Sequence, residues 1–195
     1  MKLGKLLIAV VAATVVLGAL AGPASARNIS ISSVFKRAIW SRIDFAGGFG
    51  TVECELVLEL TWHSRTFPKV VGTLLGYVTA GTITRCARGG ATINRETLPW
   101  HDRYASFGGT LPNILFFIKT LSGLSWRVRE PTFGVTCQVT GASANVSYAR
   151  TTATGAVASA SVSGTAPCSG ISGTLSGTTT NVDDRAGNRL TILLI

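Results

Sequence analysis

The stretch Val52-Glu53-Cys54-Glu55-Leu56-Val57-Leu58-Glu59-Leu60-Thr61-Trp62-His63 decides the fold of this chain. One alternate set of its residues contains a valine, a cysteine, three leucines and a tryptophan, whereas the other contains three glutamates. Because successive side chains of a β-strand point to opposite faces, this alternation predicts a half-buried strand. The acidic face would be neutralised by cross-strand arginines, for which Arg85, Arg127 and Arg129 are the candidates.

The rest of the chain resembles further strands added to this one. Ile114–Ile118 is unbroken apolar sequence, which predicts a central strand buried on both faces. Between Thr66 and Ala80 the apolar residues instead recur with helical spacing, which predicts one short amphipathic helix lying over the sheet. A hairpin strand is the alternative there, because Gly72 and Gly76 each cost about 1 kcal/mol inside a helix. The predicted fold class is all-β: a disulfide-bonded antiparallel β-sandwich with one short helix.

Residues 1–26 have the pattern of a secretory signal peptide. Lys2 and Lys5 precede an apolar segment, Leu6–Leu20, and Ala24-Ser25-Ala26 matches an A-x-A cleavage site. No later apolar stretch is long enough to span a bilayer. We therefore expect a mature chain of residues 27–195, forming one domain with no membrane span and located outside the cell or in its envelope, in a bacterial host.

Four cysteines in an exported all-β chain predict two disulfide bonds. Three connectivities are possible, and we favour Cys54–Cys86 with Cys137–Cys168 because each closes a loop of similar length. Zinc binding is the competing use of cysteine, but the chain has no Cys-x-x-Cys spacing and no metal site is predicted.

The two halves of the mature chain show the same order of features. Trp40 precedes Cys54 as Trp126 precedes Cys137, with a Phe-Gly pair between tryptophan and cysteine each time. Cys54 and Cys137 are 83 positions apart (137 − 54), and their favoured partners are 82 apart (168 − 86). This pattern supports the hypothesis of an internal duplication, with halves at 38–125 and 126–195.

The chain is basic, with a formal net charge of +9, which falls to +7 (9 − 2) when Lys2 and Lys5 leave with the signal peptide. A basic surface favours anionic partners such as an envelope polymer or an acidic glycan. The arginine codons of a high-GC genome would produce the same composition without such a partner. The basic residues form no run of five, so no nucleic-acid partner is predicted.

One segment holds the densest group of functional side chains. Trp100, His101, Asp102 and Tyr104 lie close together, and His63 is the only other histidine of the chain. Trp100 and Tyr104 share a strand face with Asp102, which would suit a flat ligand such as a sugar; core packing of the two aromatics is the alternative.

A catalytic use of these residues has weaker support. Ser64, His101 and Asp102 supply the residue types of a hydrolase triad, but Gly-x-Ser-x-Gly is absent and His101 and Asp102 point to opposite faces of a strand. No catalytic residue and no cofactor are therefore predicted.

Four short segments resemble those of a group of small secreted proteins of high-GC actinobacteria that has no assigned activity. They are the bend at 45–50 and the runs at 74–79, 97–101 and 133–137. The resemblance covers most of the mature chain. It implies export and the two disulfide bonds, and it implies no activity.

These observations predict a secreted or envelope-associated, non-enzymatic binding or structural module. The first alternative is a β-sandwich that binds a hydrophobic small molecule or lipid between its sheets. The second alternative is a secreted hydrolase that uses His63 or His101.

Overall fold

The computed structural model describes residues 28–48, 50–110, 113–130, 134–149, 157–163, 168 and 172–194. The predicted signal peptide lies outside the described residues. The described chain forms thirteen strands, and one 3-10 turn at Arg95–Thr97 precedes β7. The strands are β1 Asn28–Ile31, β2 Phe35–Gly47, β3 Gly50–Trp62, β4 Thr66–Pro68, β5 Leu74–Ala87, β6 Gly90–Ile93, β7 Trp100–Thr110, β8 Asn113–Arg129, β9 Thr136–Ala149, β10 Val157–Ser163, β11 Ser172–Thr178, β12 Asn181–Asp183 and β13 Ile192–Leu194.

Eight of these strands pair antiparallel in the order β2-β3-β5-β7-β8-β9-β10-β11, and β11 then pairs with β2. The sheet therefore closes on itself, although β5 and β7 pair with each other only near their first residues. Strand β6 adds to β8, and β12 adds to β2. Opposite walls of the closed sheet pack against each other through their inward side chains. The predicted all-β, antiparallel, disulfide-bonded sandwich is confirmed.

Strand β3 has the predicted alternation. Its apolar set is buried: Val52, Cys54, Leu56, Leu58, Leu60 and Trp62. Its glutamates lie on the outer face, where Arg85 Nη2 contacts Glu55 Oε2 at 2.8 Å and Arg42 Nη2 contacts Glu53 Oε1 at 3.1 Å. Of the three predicted partners, Arg85 is the one that pairs with this acidic face.

A second, three-stranded sheet covers one end of the closed sheet. Strand β1 pairs with both β4 and β13. The sheet lies where β3 ends, because the backbone nitrogen of Ile31 donates to the Arg65 oxygen at 2.8 Å. The ring of Phe67 in β4 packs edge-on against Trp62 in β3, with centroids 5.0 Å apart. We call β1, β4 and β13 the cap.

The helix predicted for Thr66–Ala80 is wrong; that segment forms β4, a turn and the first half of β5. The helical spacing placed Val70 and Val71 on its apolar face, but their side chains are 60% and 75% exposed. Gly76 explains why the second part of this segment forms a strand that pairs with β3. A Cβ atom built there would collide with the backbone carbonyl oxygen of Thr61, so the glycine allows β5 to approach β3 closely.

We expect Gly76→Ala to lower the free energy of unfolding by about 2–3 kcal/mol, because backbone atoms of β3 would have to move. Gly90→Ala is the matched control, since no atom lies within 4 Å of a Cβ built there. Urea denaturation of both variants measures the difference. Equal midpoints for the two variants would contradict this account of the β3–β5 contact.

The prediction that Ile114–Ile118 is buried on both faces is also wrong. Leu115 and Phe116 are 67% and 39% exposed, whereas Phe117 is fully buried. Strand β8 belongs to a closed sheet whose outer face meets solvent, so an unbroken apolar run still has only one buried face.

Both predicted disulfide bonds, Cys54–Cys86 and Cys137–Cys168, are confirmed. Cys54 lies on the second strand of the set β2-β3-β5-β7, and Cys137 lies on the second strand of the set β8-β9-β10-β11. Cys54 and Cys137 therefore have corresponding places in the two sets of strands, whereas their partners differ: Cys86 lies on β5, and Cys168 lies between β10 and β11. The duplication of residues 38–125 and 126–195 stays a prediction.

Candidate functional site

Three charged side chains lie inside the closed sheet, beneath the cap. Lys36 of β2 is 3% exposed, and Asp102 of β7 and Lys119 of β8 are fully buried. We call these three residues the ionic cluster. A strand places every second residue on the same face, so each of the three shares the inward face with apolar neighbours. Those neighbours are Ala38 and Trp40 on β2, Trp100 and Tyr104 on β7, and Phe117 and Leu121 on β8.

Asp102 is the centre of the ionic cluster. Its Oδ2 atom accepts hydrogen bonds from Lys119 Nζ at 2.7 Å and from Trp62 Nε1 at 2.7 Å. Lys36 Nζ lies 3.9 Å from the same oxygen. Among the described residues, neither Lys36 Nζ nor Asp102 Oδ1 has a hydrogen-bond partner. A buried donor and a buried acceptor are therefore both unsatisfied within one small site, which is uncommon in folded proteins.

The two lysines differ in their expected charge. Burial, together with the positive charge of Lys119, holds the pKa of Lys36 well below its usual value, although Asp102 opposes this shift. Burial also disfavours the charge on Lys119. There the carboxylate of Asp102 and the hydrogen bond to Tyr148 outweigh burial, so the pKa of Lys119 is raised. Lys36 thus tends to the neutral amine, while Lys119 stays a paired ammonium.

Aromatic rings form the walls around the ionic cluster. The amine of Lys36 packs on the face of the Trp62 ring, and Lys119 Nζ lies 5.0 Å from the centre of the Tyr148 ring. Phe117 packs against Tyr104 with ring centroids 5.6 Å apart. A cavity of about 10 Å³ lies beside Lys36, lined by residues of β1 and β13 among others. These walls bury the cluster and pack against its side chains.

The five residues predicted for a binding patch separate into two groups. Trp100, Asp102 and Tyr104 point inward and are buried, whereas His63 and His101 are exposed on the outer face. The indole of Trp100 donates to Thr97 Oγ1 at 2.9 Å. Trp100 and Tyr104 therefore belong to the core and do not offer a flat surface to a ligand outside.

The two histidines flank one tyrosine on the outer face. Tyr77 of β5 lies 5.3 Å from the His63 ring and 5.5 Å from the His101 ring, centre to centre. Within the described part of the chain, no group of three or more His, Cys, Asp or Glu side chains is arranged to hold a metal ion. The triad considered from sequence is not assembled, because His101 points outward and Asp102 points inward.

A cationic surface lies on the outer face of three neighbouring strands. Register pairs Thr92 of β6 with Arg127 of β8, and Arg127 with Gln138 of β9. One row further along, Arg129 pairs with Gly90 of β6 and Thr136 of β9. We call Thr92, Arg127, Arg129 and Thr136, which are all exposed, the arginine face. The segments that form β6, β8 and β9 contain no aspartate or glutamate.

The sequence indicated only part of this surface. Arg127 and Arg129 alternate with Trp126 and Val128. Because the side chains of a strand alternate between its two faces, the sequence alone places both arginines on one face. The pairing of β6 with β8, which brings Thr92 beside Arg127, is a long-range contact that no local pattern predicts.

The other half of the interior is filled by side chains. Trp40, Trp100 and Trp126 meet there, and Phe45 packs edge-on against Trp126 with ring centroids 5.8 Å apart. The cavity between them has a volume of about 30 Å³. Small-molecule sites usually have about 300–1,000 Å³, so this cavity offers no room for a lipid.

No family model matches this chain, and neither a curated protein nor a solved structure is significantly similar to it. The two disulfide bonds indicate an oxidising compartment outside the cytoplasm. None of the described residues belongs to a helix with the length and apolar character that crossing a membrane requires.

Proposed function

We propose that this protein is an exported, non-enzymatic binding module that holds an anionic polymer on its arginine face. The observation that carries the proposal is the pair Arg127 and Arg129, which stand side by side and exposed on a rigid strand. Threonines flank both guanidinium groups on the neighbouring strands and supply further hydrogen-bonding hydroxyls.

The chemistry of arginine defines the class of partner. A guanidinium binds carboxylate or phosphate through two parallel hydrogen bonds, and it keeps its charge at every physiological pH. Residues two apart on a strand are about 7 Å apart, so the arginine face presents two positive groups at a fixed spacing. A linear polymer with repeated acidic groups would contact both at once, whereas a small anion would contact one.

The electrostatics of the neighbourhood support the same partner. The nearest acidic side chains of β3 are Glu53 and Glu55, which pair with Arg42 and Arg85. These two glutamates are therefore already paired with arginines outside the arginine face. The signal-peptide pattern and the two disulfide bonds support export, and an acidic envelope polymer or glycan is a partner that an exported protein would meet.

The test measures binding of the purified protein to two probes, polyglucuronate and inorganic polyphosphate, at several salt concentrations. We expect Arg127→Gln/Arg129→Gln to weaken binding at least about tenfold and to reduce its salt dependence. The matched control is Arg65→Gln/Arg189→Gln, which removes the same charge from two exposed positions near the cap.

Equal weakening by both double variants would show that net charge alone attracts the probes, and the proposal would fail. It would also fail if the unmodified protein bound neither probe at low salt.

A further inference from the structure

The ionic cluster contains the parts of a covalent cross-link. Lys36 and Asp102 lie on opposite walls of the closed sheet, on β2 and β7, and their side chains meet in its buried interior. We infer that Lys36 Nζ and the carboxyl carbon of Asp102 form an intramolecular amide, an isopeptide bond, with loss of one water molecule. Three observations on the page support this bond.

The first observation is the pair of unsatisfied atoms. Lys36 Nζ and Asp102 Oδ1 are buried without hydrogen-bond partners. Leaving such atoms unsatisfied costs about 1–3 kcal/mol each. Amide formation removes Oδ1 as water, so the unsatisfied oxygen disappears, and it reduces the unsatisfied amine to a single amide N–H.

The second observation is the environment of the oxygen that remains. Asp102 Oδ2 already accepts hydrogen bonds from Lys119 Nζ and Trp62 Nε1, each at 2.7 Å. Attack at the carboxyl carbon drives negative charge onto this oxygen. Two fixed donors in a buried site are the arrangement that stabilises such a tetrahedral intermediate.

The third observation is that the two lysines suit different roles. The nucleophile must be a neutral amine, and burial lowers the pKa of Lys36. Lys119 stays protonated beside the carboxylate and can supply a proton. The amine lies 3.9 Å from Oδ2, so it is already beside the carboxyl group whose carbon it would attack.

The reaction balances without an external reagent. The lone pair of Lys36 Nζ forms the new N–C bond to Asp102, and one C–O bond of the carboxylate breaks. Lys119 protonates Oδ2, to which it is hydrogen-bonded, and this proton passes to Oδ1 as the Oδ2 carbonyl re-forms. Together with one proton from the attacking amine, it lets Oδ1 leave as water. Lys119 is then a neutral amine and recovers a proton from solvent when the protein next opens locally. Nothing is oxidised or reduced.

The bond would complete the covalent reinforcement of the molecule. Both disulfide bonds involve residues close to the end where β3 begins and β5 ends, whereas the ionic cluster lies at the capped end. An isopeptide bond would therefore hold the capped end, and reducing agents would not cleave it. A module exposed to a variable extracellular medium gains persistence from such a bond, whatever it binds.

The test is the intact mass of the mature exported protein, denatured but not reduced. We expect the mass of the processed chain less four hydrogens and less one water molecule. Proteolytic peptide mapping should then show one branched peptide joining Lys36 to Asp102. A mass lower by four hydrogens only would overturn the inference, and so would a branched peptide joining Lys119 to Asp102.

Two variants assign the roles. Lys36→Arg keeps a positive side chain that is not a nucleophile, so the water loss should disappear; the matched control Lys69→Arg should retain it. Asp102→Asn should lose ammonia in place of water, because the amide nitrogen becomes the leaving group. Retention of the water loss in Lys36→Arg would contradict the assignment even if Asp102→Asn failed to fold.

Discussion

Relative to protein in which Lys36 and Asp102 are not bonded to each other, Asp102→Ala is expected to lower the free energy of unfolding by about 3–5 kcal/mol, because it leaves the buried Lys119 ammonium without its counter-charge. The lost carboxylate also accepts the Trp62 indole proton, so a second buried donor becomes unsatisfied. Urea denaturation at neutral pH measures the effect. Asp44→Ala is the matched control, since Asp44 pairs with an exposed arginine and such surface pairs contribute about 0–1 kcal/mol.

A second variant separates charge from volume. Asp102→Leu/Lys119→Met removes both members of the buried pair and fills the space with apolar atoms, which should recover most of the stability that Asp102→Ala loses. Both variants lack the carboxyl group that the proposed isopeptide bond needs, so their difference reports the unpaired charge of Lys119 together with the packing that leucine restores. If Asp102→Ala were as stable as Asp44→Ala, the ionic cluster would not carry a charged pair in solution.

The sequence contained enough information to place the ionic cluster inside. Lys36 has the same parity as Ala38 and Trp40, and Lys119 has the same parity as Phe117 and Leu121. A charged residue that takes the place of an apolar one in an alternating strand indicates a buried charge. The sequence interpretation recognised this pattern only at Asp102, which lies between Trp100 and Tyr104. Assigning the faces of every strand by alternation would have placed all three charged side chains on inward faces. It would not have shown that the three side chains are neighbours.

Local sequence patterns predicted individual strands better than they predicted which strands pair with each other. Twelve residues with strict alternation defined β3 and its buried face, because burial on one side forces a period of two. The helix prediction for Thr66–Ala80 was wrong because a turn at Val70–Gly72 interrupts the alternation of the two strands and produces helical spacing by chance. The closure of the sheet through β11 and β2 joins residues more than a hundred positions apart, and no local period records such a contact.

The other large effect is expected from the disulfide bonds. Cys54→Ala/Cys86→Ala should lower the free energy of unfolding by about 3–4 kcal/mol, since the unfolded chain regains the freedom of a long loop. Cys137→Ala/Cys168→Ala removes a bridge of nearly the same span, 31 positions against 32, and is the matched comparison. Denaturation without reducing agent measures both.

The two bridges should nevertheless differ, for a reason that lies in the folded state. Cys54 is buried on an inward face of β3, between the buried Val52 and Leu56, so its replacement by alanine also removes packing. Each bridge joins one buried and one half-buried cysteine, Cys54 with Cys86 and Cys168 with Cys137. Among the described residues, however, the hydrophobic core includes Cys54 and contacts Cys86, whereas it includes neither Cys137 nor Cys168. We therefore expect the larger loss from the first pair, although loop entropy alone predicts equal losses. A larger loss from the Cys137–Cys168 pair would mean that the bridge organises the second half of the closed sheet, where serine, threonine and glycine leave few large side chains to bury. Equal losses would mean that loop entropy dominates and that the core around Cys54 relaxes to fill the space.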